Sequence, residues 1–380
     1  HGCMLTEDVT APWPLPQFDN SAMDGYAVRA EDVATATPEE PVELPVVADI
    51  PAGDTRINAI GPGLAARIMT GAPVPSGADA IVPVEQTDAG TARVHISAPA
   101  ALGAHVRRAA EDVAAGDVVL NTGTYLGATQ IGLLAAVGRD RVTVRPRPRV
   151  VVISTGSELV EPGYPLLLGQ ITDSNSFTLT AAAREAGAIA YRVAPISDDK
   201  ERLLGLIEEQ LVRADLVITT GGVSAGAYDV VKEVLTELGT VSFDQVAMQP
   251  GKPQGFGTIG EESTPIFTLP GNPVSAFVSF EVFVRPAIRK MLGSAKLHRQ
   301  SVKAVLQQSL RSPEGRRQFA RARIQPSPDG SYAVTPMSGQ GSHLLGDLAY
   351  ANALVVVPEH VTEVAAGQVV DTVLLERRKD

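Results

Sequence analysis

Between residues 149 and 293, short apolar, β-branched runs alternate with segments of helical period, and no other part of the sequence limits the fold as tightly. Strands are expected at 150–153, 189–195, 216–219, 241–248 and 266–269. Helices are expected near 177–186 and at 198–212, 229–238 and 273–292, where apolar residues recur every three or four positions. Runs such as Val150-Val151-Val152-Ile153 are apolar at every position, so both faces of those strands must be covered. Strands and helices in alternation then predict a mainly parallel sheet between helical layers.

The loops at the strand ends carry glycine and polar residues: STGSE at 154–158, SDD at 197–199, TGG at 220–222, QPGK at 249–252 and PGNP at 270–273. Open α/β sheets hold their ligands at that rim. The most suggestive loop follows the strand at 216–219, where Gly221 and Gly222 break the run, Ser224 adds a hydroxyl, and a helix opens at Asp229. A glycine turn lets the backbone approach a phosphate, and the N–H groups and dipole of the next helix face the anion. The same glycines also serve plain chain reversal, and the turn alone does not separate the two uses.

Composition narrows the function classes. The 380 residues carry a formal net charge of -11, which argues against broad nucleic-acid binding and requires any anionic ligand to be held by a local positive pocket. Cys3 is the only cysteine, which excludes a disulfide framework, a cysteine zinc site and an iron-sulfur cluster. The six histidines are scattered, without HExxH spacing. No apolar run approaches membrane-spanning length and no secretory signal stands in the sequence, so a cytoplasmic protein with no membrane or nucleic-acid partner is expected.

Elsewhere the chain reads as β structure. Pro12, Pro14 and Pro16 forbid helix near the start, and FDNSAMDGYA at 18–27 packs polar turn formers into ten residues. Short apolar runs between proline and glycine turns at 42–96 have the texture of a small β domain, with Thr70-Gly71-Ala72-Pro73 as its conspicuous loop. A helix is expected at 128–137, and Pro146 to Pro148 mark a domain boundary. From 301 to 375 the sequence is strand-like without helical period, predicting a small barrel or sandwich. There Arg317, Phe319, Arg321 and Arg323 alternate, so three guanidinium groups would share one strand face, a solvated one on the ordinary reading. The expected fold class is a multidomain α/β chain: a central αβα domain with a mainly parallel sheet, small β-rich domains and a C-terminal β-barrel. The expected domains are 1–16 with 113–148, then 17–112, 149–293 and 301–380.

FDNSAMDGYA, MTGAPVPSGADAIVPVE, STGSEL, TTGGVSAGAYD, QPGKP and LPGNPVS stand in this order. With them the sequence closely resembles the molybdopterin molybdenumtransferases, the MoeA family that includes the E domain of gephyrin. The resemblance spans the chain apart from an N-terminal portion that family members usually have. It implies insertion of molybdate into adenylylated molybdopterin, with release of AMP and assistance from Mg²⁺. It also implies an elongated homodimer, with the adenylyltransferase and molybdoenzyme apoproteins as partners. The central domain is similar to the MoaB/Mog-type stand-alone proteins that adenylylate molybdopterin, so adenylyl transfer is the alternative activity. A gephyrin-like scaffold is the alternative from another class.

Carried over residue by residue, the resemblance makes Glu158 and Asp229 the Mg²⁺ ligands and Gly221, Gly222 and Ser224 the nucleotide-binding turn. Asp24, Thr70, Asp112 and Asp198 match polar cleft positions, although Asp198 reads equally as an acid in the first turn of a helix. Lys252, Ser275, Arg321 and Ser342 match the molybdate pocket, beside Asn272 in a turn stiffened by Pro270 and Pro273. Three departures stand out. Gln245 and Gln249 occupy positions where better-known members have lysine, and Ala227 replaces an acidic residue. If Gln249 lines the oxyanion pocket, Gln249→Lys is expected to lower the molybdate requirement roughly tenfold.

Overall fold

The computed structural model describes residues 1–197, 199–222 and 230–375. The chain divides into two compact units, His1 with Leu5–Val144, and Gly2–Met4 with Arg145–Asp380.

The first unit is built on a five-stranded sheet in the order Ala80–Pro83, Gly25–Val28, Ala65–Ile68, Val42–Ile50, Arg93–Ile96. Gly25–Val28 is buried along its whole length because each face meets its own apolar cluster, one around Tyr26, Val28 and Val82 and the other around Ala27, Ile68 and Ile81. Gly25 has to be glycine there, since a Cβ would stand 2.0 Å from the Val82 carbonyl oxygen. The expected helix runs over Ala128–Ala136 and packs Leu134 against Leu5, Val9 and Leu120.

The second unit opens with a six-stranded sheet in the order Ile189–Arg192, Arg149–Ser154, Leu216–Thr220, Thr264–Leu269, Pro253–Ile259, Ser242–Gln245. The first four strands are parallel, and Pro253–Ile259 runs antiparallel to both neighbours. Alternation along Arg149–Ser154 sends Val150 and Val152 to one face, against the helix Asn175–Glu185 and the helical run from Pro273 to Met291. Val151 and Ile153 go to the other face, against the helices Lys200–Leu211 and Val230–Leu238. The helical run is continuous but contains a π turn over Phe280–Val284. Pro286, two residues beyond its end, has no N–H to give and crowds the carbonyl four residues back, which the wider turn relieves.

Two expectations are corrected in this sheet. The strand foreseen at 241–248 is split into Ser242–Gln245 and a two-residue strand, Met248–Gln249, which leaves this sheet and pairs in parallel with Arg317–Gln318. Pro253–Ile259 was not foreseen as a strand.

The C-terminal segment forms a closed five-stranded barrel: Arg317–Pro326 pairs with Tyr332–Pro336 on one side and with Ala353–Val357 on the other, and Ser301–Leu306 and Val369–Leu374 complete the circuit. Its core holds Leu306, Ala320, Ala322, Val334 and Val355. Against the expectation of strands alone, Leu345–Tyr350 is a short helix, too short for a period to register, and its Leu348 packs with Val274, Val278 and Phe319. Among the described residues no helix is long and apolar enough to cross a membrane.

Candidate functional site

A cavity of about 810 Å³ opens at the rim of the parallel sheet. Four of the five expected loops line it, through Ser154 to Gly156 and Glu158, Thr220 to Gly222, Gln249 to Lys252, and Pro270 to Pro273. Of the loop at 197–199, the described residues Ser197 and Asp199 are not in the lining. Asp199 instead caps the helix Lys200–Leu211, its carboxylate accepting from the Arg202 N–H at 2.9 Å. Ser275 from the following helix, Ser342 and His343 from the barrel side and the segment Ile171 to Asn175 add to the lining.

The rim is fixed by hydrogen bonds between loops. Thr220 donates its hydroxyl to the Pro270 carbonyl at 3.0 Å, and the Asn175 amide donates to the Thr220 hydroxyl at 3.0 Å and to the Gly271 carbonyl at 2.6 Å. Gly221 has φ +99° and Gly222 φ +65°, and a Cβ on Gly221 would lie 2.4 Å from the Thr155 carbonyl oxygen. Both conformation and space therefore demand glycine at 221. Asn272 donates to the Ser342 hydroxyl at 3.0 Å, and the Val274 N–H donates to the Ser342 carbonyl at 3.0 Å, so the helix start holds the barrel-side loop. The first turns of the helices beginning at Asn175 and Pro273 face the cavity and bring the positive ends of their dipoles there.

Among the described residues, four ionisable side chains line the cavity: Glu158, Asp173, Lys252 and His343. Asp173 is buried, and Ser154 Oγ (3.0 Å), the Ser176 N–H (3.1 Å) and the Ser176 hydroxyl all donate to it, which commits its oxygens to the local fold. Glu158 is free of such partners among the described residues. Gly156 leaves the room into which its carboxylate folds, 2.6 Å from where a Cβ would stand. Lys252 is exposed and has no carboxylate partner among the described residues. Gln249 accepts a hydrogen bond at its Oε1 from Arg316 Nη1 at 3.2 Å. No cluster of three or more metal-ligating side chains occurs among the described residues.

The structure therefore brings together Glu158, Gly221, Gly222, Gln249, Lys252, Pro270, Asn272, Pro273, Ser275 and Ser342. Arg321 stands apart from that group. It is almost fully buried and does not line the cavity. Its Nη1 donates to the Leu344 carbonyl at 2.8 Å and its Nη2 to the Gly339 carbonyl at 2.5 Å. Burial pushes its guanidinium pKa down, against the field of Asp347. It holds the loop that carries Ser342 and His343, and only Arg317 and Arg323 are exposed as a solvated face requires. Gln245 ends its strand opposite Pro253 and also lies off the cavity.

In the first unit Asp24 and Thr70 meet. Asp24 Oδ1 accepts from the Thr70 N–H and the Thr70 hydroxyl, both at 2.7 Å, and these bonds hold its carboxyl below the usual range. Asp112 is exposed in a turn whose N–H donates to the Leu15 carbonyl. Asp198, Ser224, Ala227 and Asp229 lie outside the described residues. Sequence reasoning missed Asp173, Asn175 and His343 in the lining. The TDSN step at 172–175, an acid and an amide just ahead of a helix, was the signal available for the first two.

Comparison with known proteins places this geometry in a family. Residues 1–138 match the MoeA N-terminal region (domain I and II), residues 151–290 the probable molybdopterin binding domain, and residues 303–375 the MoeA C-terminal region (domain IV). Molybdopterin molybdenumtransferase 2 of Mycobacterium tuberculosis is 52% identical over 372 residues, covering 96% of this chain and 91% of that protein. The molybdopterin molybdenumtransferase of Bacillus subtilis is 36% identical over 377 residues, covering 98% and 87%. A solved structure of a molybdopterin biosynthesis protein from Pyrococcus horikosii superposes with a TM-score of 0.81 at 35% identity, covering 99% of this chain and 92% of that one.

Proposed function

The chain belongs to the MoeA family of molybdopterin molybdenumtransferases, and on that premise we propose that its cavity inserts molybdate into adenylylated molybdopterin and releases AMP. One observation carries the reading. A phosphate-type glycine turn converges on one cavity, large enough for a pterin nucleotide, with a carboxylate and a lysine that have no ion-pair partner among the described residues.

The nucleotide end is Gly221 and Gly222, whose backbone comes close to a phosphate because neither carries a side chain, with Ser224 beyond the described residues. Thr220, Asn175 and Pro270 hold that turn rigid, so little ordering is left to be done when substrate arrives. Lys252, Ser275 and Ser342 form the oxyanion end, supplying a charge and two hydroxyl donors. The dithiolene sulfurs belong to the pterin, and the protein's part is to hold the oxyanion within reach of them while the phosphoanhydride is cleaved.

Glu158 fits Mg²⁺, which takes one or two carboxylates beside substrate phosphate oxygens and water, and Asp229 would be the second carboxylate. Bound there, Mg²⁺ would neutralise phosphate charge. The reading also includes a cytoplasmic homodimer in which Asp24, Thr70, Asp112 and Asp198 serve the cleft, with the adenylyltransferase and molybdoenzyme apoproteins as partners. Each of these rests on the family resemblance. Glu158→Gln and Asp229→Asn should each raise the Mg²⁺ concentration needed for AMP release while leaving the fold intact. Normal Mg²⁺ dependence in either variant would remove that residue from the metal site.

A further inference from the structure

The loop that carries Gln249 and Lys252 turns on Gly251, whose φ of +101° lies in the region that favours glycine. A glycine costs little to turn, so the peptide joining 251 to 252 could present either its N–H or its carbonyl oxygen to a ligand. The two point opposite ways from one peptide plane. The carbonyl orientation would set a partial negative charge against an oxyanion.

Gln254 decides between them. It stands on the strand Pro253–Ile259, half-buried and outside the cavity lining, and its Nε2 donates to the Gly251 carbonyl at 2.6 Å and to the Ser279 hydroxyl at 2.6 Å. A carbonyl oxygen only accepts, so the end of the carboxamide that meets it has to be the N–H₂ end, and two N–H groups match two acceptors. Ser279 is fully buried and lies one helical turn beyond Ser275 on the helix Pro273–Ser279. Met248 packs with Val274 and Val278 of the same helix, which closes the junction on its apolar side. There is no room to spare: a Cβ on Gly251 would stand 2.6 Å from Ser279 Oγ and 3.3 Å from Gln254 Nε2. Gly251 and Lys252 both line the cavity, and neither backbone N–H has a hydrogen-bond partner among the described residues.

We propose that Gln254 is a positioning residue of the oxyanion end. By tying the Gly251 carbonyl to the Ser279 hydroxyl it keeps that carbonyl turned away from the anion, leaves the Lys252 N–H to donate, and sets Lys252 against Ser275, which comes from a separate element. This rests on the functional reading above.

The test measures the half-saturating molybdate concentration for AMP release and, separately, equilibrium binding of molybdate by calorimetry without pterin. Gln254→Met keeps the length of the side chain and removes its donors. It should weaken molybdate roughly fivefold to tenfold in both measurements, while KM for the pterin nucleotide changes by less than about twofold and the urea midpoint stays in place. Gln254→Glu should weaken molybdate further, since a carboxylate has no hydrogen to give and would face the Gly251 carbonyl. Ser279→Ala should cost less than Gln254→Met, and the two together no more than Gln254→Met alone, because both act in one junction. If no form releases AMP, the functional reading fails, and the calorimetric ranking alone decides this inference. It is overturned if a folded Gln254→Met binds molybdate normally, if KM for the pterin nucleotide rises as much as the molybdate requirement, or if the two losses multiply. Should Gln254→Met fail to fold, Ser279→Ala decides, and normal molybdate binding by that variant overturns the proposal. Absence of molybdate binding by the unaltered protein at millimolar concentration overturns it as well.

Discussion

Arg321 is held by what it holds. Its two terminal nitrogens satisfy the carbonyl groups of Gly339 and Leu344, and its backbone is bracketed by the Gln340 side chain, which accepts from the Arg321 N–H at 3.1 Å and donates to its carbonyl at 3.2 Å. Arg321→Ala removes two donors from buried carbonyls and opens a cavity, so it should destabilise the protein by about 2–4 kcal/mol. Denaturant unfolding checks this. Unchanged stability together with lost molybdate binding would instead return the guanidinium to the oxyanion pocket, where the resemblance put it. Asp24 does the analogous work in the first unit, accepting twice from Thr70. Neither role was legible in the sequence. Period-two spacing says that Arg321 shares a face with Arg317 and Arg323, but not that Phe319 and the helix Leu345–Tyr350 cover that face midway along the strand.

At the scale of elements, the alternation of strands and helices was legible because burial on both faces leaves a dense apolar signal, as in Val150 to Ile153 with neighbours split between two cores. The missed strand, Pro253–Ile259, had no such signal. Its Gly255 and Gly257 read as breakers, yet the sheet demands them: a Cβ on Gly255 would stand 2.8 Å from the Phe243 ring, and one on Gly257 would stand 2.2 Å from the Thr240 carbonyl oxygen. Met248–Gln249 was misread for a different reason. Its partner, Arg317–Gln318, lies almost seventy residues away in the barrel rather than in the parallel sheet, and pairing across that distance leaves no local pattern. The glycine turn at 221–222 lies between these cases. The sequence showed that a turn was needed, and the 2.4 Å approach to Thr155 shows why alanine could not serve at 221.

At the scale of the whole molecule, the candidate groups fall in both compact units, with Asp24, Thr70 and Asp112 in the first and the cavity in the second. The proposed homodimer makes one cleft from two copies, and sedimentation should therefore report two chains. A monomer with full activity would exclude it. The central claim is the reaction. Supplied with adenylylated molybdopterin, molybdate and Mg²⁺, the purified protein should release AMP in proportion to the molybdenum transferred, and should produce no adenylylated pterin from ATP and molybdopterin. Adenylyl transfer from ATP without molybdate-dependent AMP release would contradict the account.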